Sequence, residues 1–205
     1  MYLKKNDLIY CLPFVGILVF GALYFYSATL YPGGSQVDAN AIGFDWVNNY
    51  WCNLTSKNAL NGDHNPARPV AIFAMITLCS SLLVFFIQFA KTFIRNKHWK
   101  QFVIMCSSLS MFSAALIFTA LHDAMTILSS LFGMFVMFAM IKALYKSNLR
   151  FYKITGVLCI LLLALNNYIY YSRQYIELLP LLQKITFAIV LVWILSLNRK
   201  MKTFR

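Results

Sequence analysis

The 205 residues are 60% hydrophobic and only 12% charged, with a mean hydropathy of +0.67, which excludes an ordinary soluble domain. A formal net charge of +12 would suit a nucleic-acid binder, but the Lys and Arg residues sit in short clusters between apolar runs and form no compact basic domain, which excludes that partner too. A polytopic membrane protein remains.

Crossing a hydrocarbon core of roughly 30 Å takes about 20 apolar residues in a helix. Six such runs occur, at about 8–26, 69–90, 102–121, 124–144, 154–171 and 178–197. Stretches such as "ITGVLCILLLAL" lack the alternation of a membrane β-strand. The expectation is therefore an all-α, six-transmembrane-helix bundle forming a single domain over 1–205. The first run follows Lys4 and Lys5 as a secretory signal would, yet it exceeds the ~7–15 residues of a signal core and is expected to stay as the first helix.

Between the first two runs lies a polar loop, 27–68, too long to be structureless without a reason. "YPGG" at Tyr31–Gly34 and "NGDHNPARP" at Asn61–Pro69 are turn signals. Between them stands "GFDWVNNYWCNL", Gly43 to Leu54. On a helix, Phe44, Val47, Trp51 and Leu54 form one apolar stripe, with Asp45, Asn49 and Asn53 opposite. That pattern predicts an amphipathic helix at the interface, with Trp46, Tyr50 and Trp51 at headgroup depth, partly capping the bundle. Asn53 also opens an "NLT" glycosylation triplet, too near the bilayer for use.

The third and fourth runs nearly touch, leaving His122 and Asp123 as their turn. A cation at the end of the third helix and an N-cap on the fourth would explain the two residues structurally. Ser107, Ser110, Ser113, Ser129, Ser130 and Gly133 read as close helix packing, and Met111, Met125, Met134, Met137 and Met140 as core filler. Lys184 falls about two turns into the sixth run, where it must snorkel or find a partner such as Glu177 or Asp123. Of the five cysteines only Cys52 lies outside the runs, so no disulfide is expected within the loop.

Fourteen of the 18 basic residues fall on one side if six spans alternate, whereas five of the six acidic residues fall on the other. The positive-inside rule then places both termini in the cytoplasm and loop 27–68 outside, in the cell (inner) membrane. The outer side collects the candidate chemistry. His64, His122, Asp45 and Asp123 are the residue types that hold a divalent metal such as zinc, or divide acid and base roles in hydrolysis. No HExxH, CxxC pair, GxSxG or P-loop supports them. Trp46, Asn49, Tyr50, Trp51, Asn53, Arg68, Arg173 and Lys184 suit an outer cavity for a lipid or small amphiphile, with aromatics for the apolar part and cations for an anionic group. A solute transporter fits less well, since the spans hold few central polar groups and no inverted repeat is visible. Nothing in the sequence bears on oligomeric state.

The segment "FDWVNNYWCNLTSKNALNGDHNPARPVAIFAM", with Asp45, Asn49, Asn53, Asn65 and Pro66, resembles uncharacterised bacterial six-span proteins and, more distantly, FRAG/DRAM/SFK-type membrane proteins. The likeness covers about thirty residues closely, and a Trp-rich motif replaces the usual serine-acid pattern. The resemblance implies a role in membrane lipid organisation or homeostasis, without a catalytic residue to transfer. The expected function is lipid or amphiphile binding at the outer face; the alternative is a membrane-embedded hydrolase or transferase using the two histidines and two aspartates, which their convergence would favour.

Overall fold

The computed structural model describes residues 5–204, and side chains from Ile9 to Thr203. Six helices of 19 residues or more occupy these described residues: α1 (Lys5–Thr29), α2 (Arg68–Phe93), α3 (Lys97–Ala115), α4 (His122–Tyr145), α5 (Arg150–Ser172) and α6 (Leu179–Met201). Short 3₁₀ turns lie at Trp51–Thr55, Ile176–Leu178 and Lys202–Phe204. All but α3 are long and apolar enough to cross a membrane, so the fold is all-helical with transmembrane character. In α3 the basic start and the serines lower the hydropathy; Ser107, Ser110 and Ser113 are buried, and Ser110 Oγ donates to the Ser129 carbonyl of α4 at 3.0 Å.

Cross-links between helices fix their directions. Ile9 and Tyr10 of α1 meet Gln88 of α2 and Asn198 of α6, while Tyr152 of α5 meets Ser196. At the opposite end, Tyr24 and Trp51 adjoin α6, and Tyr170 reaches Asp123. Consecutive helices therefore run antiparallel. One end of the bundle carries loop 30–67 and is called the cap end; the other carries Lys91, Arg95, Lys97, Lys100, Lys142, Lys146, Arg150, Lys153, Arg199 and Lys200 and is the basic end.

Pro13 lies inside α1 and cannot donate to the Ile9 carbonyl one turn back. In hydrocarbon a freed carbonyl needs another partner. Gln88 Nε2 donates to the Ile9 carbonyl at 2.7 Å, and Asn198 Nδ2 to the Tyr10 carbonyl at 2.8 Å. Two buried amides thus tie α2 and α6 to the interrupted turn. Higher up, Gly16 permits close approach of α1 and α2, since a Cβ there would stand 1.7 Å from Ser81 Oγ. The apolar core runs along these contacts through Phe20, Tyr24, Leu78, Phe85 and Phe89 to Trp193 and Leu197.

Two sequence expectations need correction. Gly43–Leu54 is not one amphipathic helix: a turn at 46–48 leads through extended Tyr50 into the 3₁₀ helix Trp51–Thr55. The physical reason is Asp45, whose carboxylate accepts from the Val47 and Asn48 amides at 2.9 and 3.0 Å and closes a local turn that competes with helix propagation. Nor does α3 reach Leu121. It stops at Ala115, and turns over 116–121 lead into α4, so His122 and Asp123 begin α4 instead of forming the connection.

Candidate functional site

The cap is built by asparagines turned inward. Asn49 is fully buried; its Nδ2 donates to the Gly34 carbonyl at 2.9 Å and its Oδ1 accepts from the Asp45 amide at 3.2 Å. Gly34 adopts φ +82°, and a Cβ there would stand 2.3 Å from the Asn61 amide nitrogen, so this crossing requires glycine. Asn53 Oδ1 accepts from the Tyr50 amide at 2.6 Å. Asn65, also fully buried, donates to the carbonyls of Asn53, Leu54 and Ser56 and accepts from the Ala67 amide. An amide side chain carries both donors and an acceptor, which lets it replace ladder bonds that an irregular segment lacks. The side chains expected to line a polar outer face are thus spent on the loop's own backbone.

Three anchors fasten the cap to the helices. Trp51 packs against Tyr24 at 4.3 Å and Phe187 at 5.9 Å between ring centroids, and Tyr24 donates its hydroxyl to the Trp51 carbonyl at 2.6 Å. Lys184 points inward; its Nζ donates to the Asn49 carbonyl and, at 3.0 Å, to that of Pro180, and it lies 5.7 Å from the Phe44 ring centre. Arg68 Nε donates to the Thr55 carbonyl at 3.2 Å. Trp46 lies between Phe25, tilted at 5.2 Å, and Phe44, edge-on at 5.1 Å, and Tyr50 donates to the Ile176 carbonyl at 3.4 Å.

Electrostatics follow this geometry. Partial burial pulls the Asp45 carboxyl upward, but hydrogen bonds from the Asn48 side chain and from the Asn48 and Val47 amides, with the Lys184 charge, outweigh it and hold the group below the ordinary carboxylate value. Burial pushes the Cys52 thiol up to about 11, which lowers its thiolate fraction at neutral pH.

The space expected beneath the cap is therefore filled by Leu54, Trp51, Tyr24 and Phe20. Two grooves lie on the flanks. One, about 420 Å³, runs between α2 and α3 past Cys79, Leu83, Met111 and Phe112. The larger, about 690 Å³, runs between α4 and α5 and is open along its length; Ile127, Ser130, Leu131 and Met134 form one wall, and Ala164, Asn167, Tyr168 and Tyr171 the other. Asp123, Ile127, Ser130 and Met134 share one helix face over about 16 Å at 1.5 Å per residue.

Beyond the residues that line this groove, at the cap ends of the same two helices, stands a polar collar. His122 Nδ1 lies 3.0 Å from Asp123 Oδ1, and Tyr170 donates its hydroxyl to the same oxygen at 3.4 Å. The Arg173 guanidinium lies 5.2 Å from the Tyr170 ring centre. Leu121, not Asp123, is the N-cap of α4; Asp123 stands in the first turn, where its carboxylate complements the helix dipole. Arg173 ends α5 in the left-handed conformation, φ 61°, and Tyr175 follows at φ 56°.

Of the predicted residues, the structure brings together His122, Asp123 and Arg173 at the collar, and Asp45, Asn49 and Lys184 in the cap. His64 stands apart on an exposed turn bridged to Asn58. Among the described residues no three His, Cys, Asp or Glu side chains gather to hold a metal ion, so the expected set of His64, His122, Asp45 and Asp123 is not assembled. Arg68, Arg173 and Lys184 likewise serve separate partners instead of one basic cavity. The tyrosines of the groove were missed; the run "YIYYSRQY" was their signal, a dense aromatic belt at a helix end. No protein-family model matches the chain, and no curated protein or solved structure is significantly similar to it.

Proposed function

We propose that this is a six-span protein of the cell membrane that binds a phospholipid, with the α4–α5 groove taking an acyl chain and the His122, Asp123, Tyr170 and Arg173 collar its headgroup. In this reading α3 is the sixth span, both termini face the cytoplasm and the cap lies outside, in accord with the lysine and arginine bias. The observation that carries it is a juxtaposition on one helix pair: an open apolar groove between α4 and α5, and at the cap ends of the same two helices Asp123 and Arg173, charges of opposite sign that both bear on Tyr170. Lipid tails reach such a groove directly from the bilayer, and the collar sits where headgroups begin. The more distant resemblance to FRAG/DRAM/SFK-type membrane proteins, carried by the Phe44–Met75 segment, implies the same kind of role.

Native mass spectrometry of the detergent-solubilised protein tests this. Wild type should retain phospholipid; Ala164→Trp, which fills the groove, should lose most of it, whereas Ala115→Trp in the α2–α3 groove should not. Equal retention by all three would overturn the assignment.

The His122–Asp123 bond supports a second reading. A carboxylate on Nδ1 orients the imidazole and leaves Nε2 as a base, the arrangement a lipid hydrolase or transferase requires. Turnover of labelled phospholipid in mixed micelles, abolished by His122→Ala, would favour it; absence of turnover in wild type would remove it.

A further inference from the structure

We infer that the collar selects an amine-bearing zwitterionic headgroup, a phosphoethanolamine, a specificity that rests on the lipid-binding reading above. The geometry consists of two opposite charges held near each other and left unjoined. Asp123 and Arg173 both bear on Tyr170, the first through the hydroxyl and the second over the ring. They form no ion pair; the ion pair found among the described residues joins Asp123 to His122. Both hydrogen bonds to Asp123 fall on Oδ1, on a side chain that is 83% exposed, and none among the described residues falls on Oδ2.

A headgroup with a phosphate and an ammonium two carbons apart completes this pair. Its ammonium donates to Asp123 Oδ2 while its phosphate accepts from the Arg173 fork. A phosphocholine has no N–H to donate to Asp123, and the Tyr170 ring beside that carboxylate already carries the Arg173 guanidinium. A phosphoglycerol offers hydroxyls and a net negative charge beside the Asp123 carboxylate. Each competitor forfeits one charge-assisted hydrogen bond, which sets the expected preference at about tenfold.

The left-handed backbone at Arg173 supports a recognition role. Glycine is the residue that fits a helix C-terminus at φ 61°; an arginine there strains the backbone while placing its guanidinium over Tyr170.

The test offers the purified protein equimolar phosphatidylethanolamine, phosphatidylglycerol and phosphatidylcholine of identical chains in mixed micelles, and reads bound lipid by native mass spectrometry. Wild type should favour phosphatidylethanolamine about tenfold. Asp123→Asn should bring it down to the level of phosphatidylcholine, and Arg173→Gly should weaken all three while leaving the thermal midpoint unchanged or raised. Groove-bound lipid, displaced by Ala164→Trp but indifferent to headgroup, would overturn this inference alone; lipid insensitive to Ala164→Trp would overturn the reading beneath it. Displacement by millimolar glycerophosphoethanolamine, which has no chains, would assign the collar to a soluble zwitterion and overturn the lipid selectivity.

Discussion

Replacing Lys184 by Met should release the cap without emptying the core. The methionine keeps much of the apolar stem but removes the donor to the Asn49 carbonyl and the cation beside Phe44. A hydrogen bond from a charged group contributes about 1.5–3 kcal/mol, and the ring contact about 0.5–1. Dehydration of the ammonium in the closed state offsets part of this, leaving about 2 kcal/mol for cap closure. That corresponds to an opening equilibrium about 30-fold more favourable in the variant. Cys52 reports it, because the closed cap leaves its thiol only partly exposed and raises it to about 11, which slows its reaction. Maleimide labelling of Cys52, followed peptide by peptide in detergent at neutral pH, should run faster in Lys184→Met than in wild type, by up to about 30-fold. Equal rates would refute the role given to Lys184, and with it the view that α6 holds the cap down.

Three further outcomes follow from the same geometry. Asn65→Leu leaves the Asn53, Leu54 and Ser56 carbonyls and the Ala67 amide without this partner, and should lower stability by about 2–4 kcal/mol as a fall in thermal midpoint. Because the Asp45 carboxyl is depressed in the folded cap, its contribution is complete above the unfolded value of about 3.9 and is lost as pH falls through the lower folded value; emission from Trp46 and Trp51 should shift red across that acid window in wild type, and the shift should be absent in Asp45→Asn. Gln88→Leu strips the Ile9 carbonyl that Pro13 leaves free and should destabilise by about 1–3 kcal/mol, and Pro13→Ala, which restores a backbone donor, should recover much of that loss in the double variant.

Five helices were legible because a bilayer imposes one length and one composition on whatever crosses it; the third run also carries a helix, α3, but one that falls short of that length and composition. The exceptions are instructive. Serines can be read as apolar-helix packing, as Ser110 and Ser129 are, but they do not say where a helix stops, so α3 was placed too far along the chain. In the cap, period counting put Asn49 and Asn53 on a solvent face, whereas both are buried. The periodicity of a helix was present in the sequence, but Asp45 is a stronger local instruction, since its carboxylate captures two amides before a helix can form. Lys184 could be located as an uncomfortable charge from sequence alone. Its partner is a backbone carbonyl, which leaves no mark in a sequence. The same holds for the collar: Asp123 and Arg173 are 50 residues apart, and only the pairing of α4 with α5 puts Tyr170 between them.

The sidedness of the molecule underlies every site assignment and is open to direct measurement. Cysteines placed singly at the exposed positions Val47, His98, Ala120, Asn148, Tyr175 and Thr203 are labelled in intact cells by a membrane-impermeant maleimide and read by mass spectrometry. The account predicts labelling at 47, 120 and 175 without permeabilisation, and at 98, 148 and 203 only after it. If positions 98 and 120 label from the same side, α3 does not cross the membrane; if 47 and 175 label from opposite sides, cap and collar do not share a face and the account fails.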